Sequence, residues 1–245
     1  VIGVYMQESG FQYSGAELEL FEKALNWKSY ITSQFKDHVS GKVLEIGTGI
    51  GAFIPWVINP AVTKWTCMEP DAGFGKILKN KYADDIAKGK IEVKTGYMKD
   101  VPETEKFDTI LYLDVLEHIQ DDQRELELAY NKLNPGGKIV VLAPALQFLY
   151  NEFDKAIGHY RRYSHGTLKE LTPADSKLLH IKYFDSAGFV LSLGNKWFLK
   201  QSQPNLKQIM FWDKAVVPIS KVIDRMTINA FGKNIIAIWE KPKIN

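Results

Sequence analysis

The chain has 245 residues, 45% hydrophobic and 24% charged, which is enough for one large core and matches an ordinary folded protein rather than a disordered or fibrous one. Its 31 basic and 29 acidic residues leave a formal charge of +2, too balanced for a protein that holds nucleic acid by neutralising phosphates, so a small-molecule partner is expected. The single cysteine, Cys67, excludes an internal disulfide, no apolar run is long enough to cross a bilayer, and the start VIGVYMQESG lacks a secretory layout; a cytoplasmic chain is expected.

Residues 14–38 read as a leading amphipathic helical flap, with Leu18, Phe21, Leu25 and Trp27 or Lys28 near helical spacing. KVLEIG, at 42–47, is a short apolar run ending in glycine, as a buried parallel strand does. A strand-then-helix rhythm follows: KWTCME at 64–69, a helix from about Gly73 to Ala83, IEVKTG at 91–96 and FDTILYLD at 107–114. Asp122 and Glu125 open a helix with Leu126, Ala129, Tyr130 and Leu133 on its apolar face, and NPGG at 134–137 is expected to end it. KIVVLAP at 138–144 makes a fifth strand, KLLHIKYFD at 177–185 a sixth, and NIIAIWEK at 234–241 a last one. Between them lie an aromatic and charged insertion, a helix from about His165 to Leu171, and a Trp-, Phe- and Lys-rich region at 197–231.

Gly47, Gly49 and Gly51, between the first strand and a helix starting near Ala52, form a turn whose backbone N–H groups a ligand can approach closely. Glu69 ends the second strand, where an acceptor-only carboxylate meets the hydroxyls of a ribose. Gly47, Gly49 and Ala52 also satisfy the dinucleotide pattern, so at this point a nicotinamide cofactor stays open.

VLEIGTGIGAF, the acid of CMEPD, and FDTILYLDVLEHIQDD followed by LNPGGKIVVLAP together resemble the class I S-adenosylmethionine-dependent methyltransferases over about residues 40–145. The resemblance implies an α/β, Rossmann-like seven-stranded sheet, mostly parallel with an antiparallel last strand and helices on both faces. Length and the change of pattern after Pro144 point to one domain: the flap, a cofactor core at 41–145, and a lid or substrate region at about 146–176 and 197–231. Glu45, Gly47, Thr48, Gly49 and Gly51 would face the methionine end, Glu69 and Pro70 the ribose, Tyr97 and Met98 the adenine, and Asp114 and Val115 the reactive end. Where the family commonly carries Gly-Asp and a small apolar residue, this chain has Gly96-Tyr97-Met98, with Asp100 displaced from that place. The Asp114 to His118 block disfavours a nicotinamide-dependent oxidoreductase, and a non-catalytic subunit that binds the cofactor is a third reading.

ALQFLYNEFDKAIGHYRRYS resembles a subgroup of these enzymes with a GHYRRY-like block after the fifth strand. Tyr150, Asp154, His159, Tyr160, Arg161, Arg162 and Tyr163 are read as substrate-binding, Arg161 and Arg162 favouring an anionic acceptor. The competing reading has Asp154 and an arginine pinning the insertion, with Tyr160 and Tyr163 packed beneath. His159, ahead of His118, is the candidate general base for a hydroxyl acceptor. No metal-ligating set is assigned. The place after the fourth strand reads Leu-Asp-Val-Leu, without the Asn-Pro-Pro-aromatic tetrapeptide of base-methylating enzymes, so no nucleic acid is expected. The tail WFLKQSQPNLKQIMFWDKAVVPISKVI is read as pocket cover or a dimer surface rather than a membrane-contacting helix, since Pro204 and Pro218 interrupt its pattern; the protein is expected to be a monomer or homodimer.

Overall fold

The computed structural model describes residues 22–194 and 205–243. Leu18 and Phe21 of the expected flap, and residues 197–204 of the expected cover, lie outside the described residues.

One seven-stranded sheet organises the chain, in the order β3-β2-β1-β4-β5-β7-β6. Its strands are β1 (Gly41–Ile46), β2 (Val62–Met68), β3 (Ile91–Lys94), β4 (Phe107–Leu113), β5 (Leu133–Pro144), β6 (Lys177–Phe184) and β7 (Asn234–Glu240). The pairs from β3 through β5 are parallel, and β7 runs antiparallel to both β5 and β6, so the resemblance's fold is the one observed. Successive strand residues point to opposite faces: Leu44 and Ile46 join one apolar layer and Val43 the other, as Ile110 and Leu111 do on β4. Both faces are therefore covered, which is why these strands read as continuous apolar runs.

The chain reverses direction between β1 and β4 in the order, since β2 and β3 lie to one side and β4 and β5 to the other. Ligands of open α/β sheets sit outside the carboxyl ends of strands at such a switch point. The loops following β1, β2, β4 and β5 therefore border the candidate ligand site.

Several expectations need correction. In α1 (Leu25–Thr32), Trp27, Lys28, Tyr30 and Ile31 are buried while Leu25 is exposed, because Asp213 fixes the first turn by accepting from the Trp27 N–H at 2.8 Å. The helix after the glycines is a single turn, α2 (Ile54–Val57), and that after β2 is split into α3 (Ala72–Lys81) and α4 (Ala83–Ala87). Asp121, not Asp122, caps α5 (Asp122–Asn131), accepting from the Arg124 N–H at 3.1 Å. NPGG does not end that helix but lies inside β5. There Gly136 N–H donates to Lys241 and Lys241 N–H to Gly137, and these bonds hold the segment to the chain's last strand.

The insertion after β5 carries α6 (Glu152–Ala156) and α7 (His165–Glu170). After β6 come α8 (Ser186–Gly194), a helix not foreseen, then α9 (Leu206–Phe211), a π-helical turn at Trp212–Val216 and α10 (Val217–Met226). Pro218 does not end the helical run: it comes just after the π-helical turn Trp212–Val216, a local irregularity inside a continuous stretch of helix. Buried Asp224 of α10 binds α8 and α1 to the sheet, accepting from the backbone N–H groups of Asp185 and Ser186 and from the Ser186 and Tyr30 hydroxyls. No helix among the described residues is long and apolar enough to cross a membrane.

Candidate active site

Gly47, Gly49 and Gly51 all adopt left-handed backbone, at φ of 64°, 57° and 70°. Only glycine takes that region without penalty, so the three together make the tight turn after β1. Gly51 is also closed in: an added Cβ would lie 2.7 Å from Tyr82 Cε2 and 2.8 Å from Leu78 Cδ2, and the Tyr82 hydroxyl donates to the Gly51 carbonyl at 2.7 Å. The turn is thus backed by α3.

Glu69 lies fully buried at the end of β2, and both of its oxygens serve the backbone. Oε2 accepts from the Gly49 N–H at 2.7 Å and Oε1 from the Asp71 N–H at 2.9 Å. Burial raises its pKa, against the pull of these two donors. Glu45 is also buried, accepts from Trp65 Nε1 at 3.1 Å, and is pushed up to about 8 by burial, with the nearby Glu69 adding to the rise. Thr48 donates its hydroxyl to the Glu45 carbonyl at 3.1 Å, closing the turn onto β1, and Pro70 follows Glu69 directly.

After β3, the Tyr97 N–H donates to Asp100 Oδ2 at 2.9 Å, so Asp100 caps the short turn Met98–Asp100, while the Met98 side chain is buried in the core. After β4, Asp114 takes a left-handed φ of 56°, uncommon for a non-glycine residue, and Val115 is buried. Burial pushes the Asp114 carboxyl up to about 7, against the nearby charge of Lys233.

The GHYRRY block folds back beside β4. Asp154 is its hub: fully buried, it takes Arg162 Nε on Oδ1 and a terminal guanidinium nitrogen on Oδ2, both at 2.9 Å, and lies 2.7 Å from His159 Nδ1. Against burial, which alone would raise it, His159 and Arg162 hold Asp154 below the usual carboxylate range. Arg161 pairs with Asp122 at 2.5 Å and donates to the Gln120 carbonyl at 2.7 Å. Tyr163 is buried, its hydroxyl reaching Asp122 at 2.8 Å and the Leu116 carbonyl at 3.1 Å. Tyr150 donates to the His159 carbonyl at 2.6 Å, and Tyr160 is exposed. Both guanidiniums thus have internal partners: Arg162 with Asp154 and buried Tyr163 are arranged as in the pinning alternative, whereas Arg161 pairs with Asp122 and Tyr160 is exposed rather than packed beneath.

His118 and His159 stack edge to face with centroids 4.4 Å apart, and burial lowers the pKa of each, leaving both imidazoles neutral near pH 7. Two residues lacked any sequence-based assignment. Glu117 is wholly buried between these histidines and Asp114, and its Oε1 lies 3.7 Å from His159 Nε2. Lys233, just before β7, has an ammonium with no hydrogen bond or ion pair among the described residues. It sits 5.9 Å from the Trp212 ring, and its charge acts on Asp114 and Asp185. Nothing near Lys233 in sequence signals this, because antiparallel pairing of β7 brings it to the end of β5.

A glycine turn with a buried acid at the next strand end, on a doubly wound sheet whose last strand is antiparallel, defines a class of cofactor-binding α/β enzymes. The chain belongs to the methyltransferase-domain family, whose model matches residues 5–201. It is 23% identical over 120 residues to a ubiquinone/menaquinone biosynthesis C-methyltransferase of Geotalea daltonii, covering 48% of this chain and 51% of that protein. The chain thus spans about half the length of that relative. Among solved structures it is similar to phosphoethanolamine N-methyltransferase 2 of Haemonchus contortus, determined with phosphomonomethylethanolamine and S-adenosylhomocysteine. That match has a TM-score of 0.63 and 14% identity, and covers 99% of this chain and 60% of that one. It is also similar to the cyclase SpnF, with a TM-score of 0.61 and 14% identity, covering 94% and 95% of the two chains. At these identities the structural matches carry the fold alone.

Proposed function

We propose that the chain is an S-adenosylmethionine-dependent methyltransferase acting on a small-molecule acceptor, with S-adenosylhomocysteine as product. The observation that carries the reading is the three-glycine turn held by Glu69, next to buried Glu45. Family membership supports methyl transfer, and the Haemonchus contortus neighbour was solved with the demethylated cofactor. In this reading Glu45 and the turn from Gly47 to Gly51 receive the methionine end, Glu69 and Pro70 the ribose, Tyr97 and Met98 the adenine, and Asp114 and Val115 the sulfonium.

Methyl transfer from a sulfonium is an in-line displacement, so holding the acceptor atom behind the methyl carbon supplies much of the catalysis. The segment 146–176 covers the acceptor side of this single domain, together with the helices from Leu206 onward. His159, its Nδ1 tied to Asp154, turns Nε2 toward Glu117 and is the better placed of the two histidines to take a hydroxyl proton. Lys233, rather than Arg161 or Arg162, offers an uncommitted cation for an anionic acceptor.

Calorimetry with S-adenosylmethionine, S-adenosylhomocysteine and nicotinamide cofactors tests the cofactor. Heat is expected for the first two only, and no heat for either ends the proposal. Because a fold does not fix a reaction, and one structural neighbour is named a cyclase, turnover on a panel of hydroxylated and anionic metabolites tests the chemistry.

A further inference from the structure

We infer that Glu117, His118 and His159 form a binding site for a divalent transition-metal cation, of the kind that takes two imidazoles and one carboxylate. One ligand atom from each of the three residues lies within 4.8 Å of the other two. The Glu117 Oε1 to His159 Nε2 separation is 3.7 Å. Metal–ligand bonds of about 2.0–2.2 Å place tetrahedral ligand atoms about 3.4 Å apart, so an inward shift of no more than about 1.4 Å closes the set.

Each imidazole already has one nitrogen committed, and the commitment decides which nitrogen is free. His159 Nδ1 lies 2.7 Å from Asp154 Oδ1, and His118 Nδ1 lies 3.2 Å from the carbonyl of Gly158. Both partners accept, so both Nδ1 atoms carry the proton and both Nε2 atoms present a lone pair. A metal-binding histidine is oriented by this same arrangement, a carboxylate or carbonyl on the far nitrogen. Asp154 is itself locked by two bonds from Arg162, so His159 cannot easily turn.

The second, independent observation is Glu117. Its side chain is fully buried and neither carboxylate oxygen has a hydrogen-bond partner. Buried carboxylates are normally paired, because an unmet lone pair in low dielectric is costly. His159 Nε2 lies 3.7 Å from Oε1 and a ring nitrogen of His118 lies within 4.8 Å, a set that a cation satisfies as a whole and a single proton satisfies only in part. The loops are fixed to each other at this point: the Tyr160 N–H donates to the Glu117 carbonyl at 2.8 Å, and the His118 ring reaches Gly158 from the other side.

Two nitrogen ligands favour zinc, iron(II) or cobalt(II) over calcium, magnesium or manganese(II), which suit oxygen ligands. Three protein ligands leave a position open for water or for an acceptor oxygen. This last step rests on the methyltransferase reading; binding of the cation does not. In the metal-bound protein His159 would be a ligand rather than a base; coordination would lower the pKa of an acceptor hydroxyl, and its proton would pass to water.

The test uses the full chain stripped with chelator and titrated with cobalt(II), read by visible absorption, followed by zinc(II) competition. One equivalent of cobalt with d–d bands, displaced by zinc, is expected. Glu117→Gln and His159→Gln should each abolish the bands while circular dichroism stays that of the wild type. Asp154→Asn should weaken binding about 10- to 100-fold. No bands in the wild type, or undiminished bands in folded Glu117→Gln, overturn the site. If the variants fail to fold, X-ray absorption of the zinc-loaded wild type decides: a shell containing two imidazoles is expected, and a shell without imidazole refutes the proposal. Calorimetry with S-adenosylhomocysteine on the stripped protein separates the two readings. Heat without cobalt uptake removes the metal alone, and cobalt uptake without heat removes the methyltransferase alone.

Discussion

The backbone N–H of Gly49 donates to Glu69 Oε2 at 2.7 Å, so the acid that ends β2 and the turn that follows β1 are one unit. The carboxylate that would meet a ribose also sets the shape of the loop beside it.

Glu69→Gln replaces one of two accepting oxygens with an amide donor facing an N–H. Loss of one hydrogen bond to a charged group costs about 1.5–3 kcal/mol. Denaturant unfolding should report a loss of that size, and calorimetry should show S-adenosylhomocysteine bound at least about 10-fold more weakly, a difference of about 1.4 kcal/mol. Unchanged affinity would detach Glu69 from the cofactor site.

Gly51 and Gly89 share φ of 70° but differ in surroundings, since a Cβ at Gly89 meets nothing within 4 Å. Gly89→Ala should therefore cost only the left-handed strain, about 1 kcal/mol. Gly51→Ala adds the clash with Tyr82 and Leu78, for a total of about 2–4 kcal/mol. Equal unfolding midpoints for the two variants would contradict the packing of the turn on α3.

Arg162 is buried on Asp154, whereas the Arg161 side chain is 29% exposed. Removing one partner of a buried pair costs about 3–5 kcal/mol, so Arg162→Leu should unfold far more easily than wild type. Arg161→Leu should change stability by less than about 1 kcal/mol. Thermal melts of the pair check this, and similar melting temperatures would mean that Arg162 is free for substrate.

Glu45 gives a pH dependence. Its folded pKa of about 8 lies above the usual 4.5, so between those values the folded state keeps a proton that the unfolded state releases. Its contribution to stability is fully present below about 4.5 and is lost as pH rises through about 8, by at most about 5 kcal/mol. Ligand-free protein should lose stability over that window, and Glu45→Gln should flatten the fall; parallel curves would show that Glu45 is ionised in the folded protein.

If the acceptor is anionic, Lys233→Met should raise KM about 10-fold, or about 1.4 kcal/mol, with S-adenosylhomocysteine affinity unchanged. Steady-state kinetics on the substrate identified by the panel checks it. A fall in kcat at constant KM would assign Lys233 to something other than substrate charge.

The sequence by itself determined the parallel core, because apolar runs such as VLEI followed by Gly47-Thr48-Gly49-Ile50-Gly51 state both the buried strand and the backbone conformation of its turn. It also determined the acid at the tip of β2, whose place follows from strand length. Local pattern misjudged NPGG and the face of α1, since partners far along the chain, Lys241 and Asp213, settle those segments. Only the tertiary structure decided which charges are spent and which are free. Arg161 and Arg162 read identically as neighbours, yet each finds its own carboxylate, while Lys233, Glu117, His118 and His159 gain their significance from residues distant in sequence. Charge pairing and metal-ligand geometry depend on distances in space, which short-range periodicity does not encode.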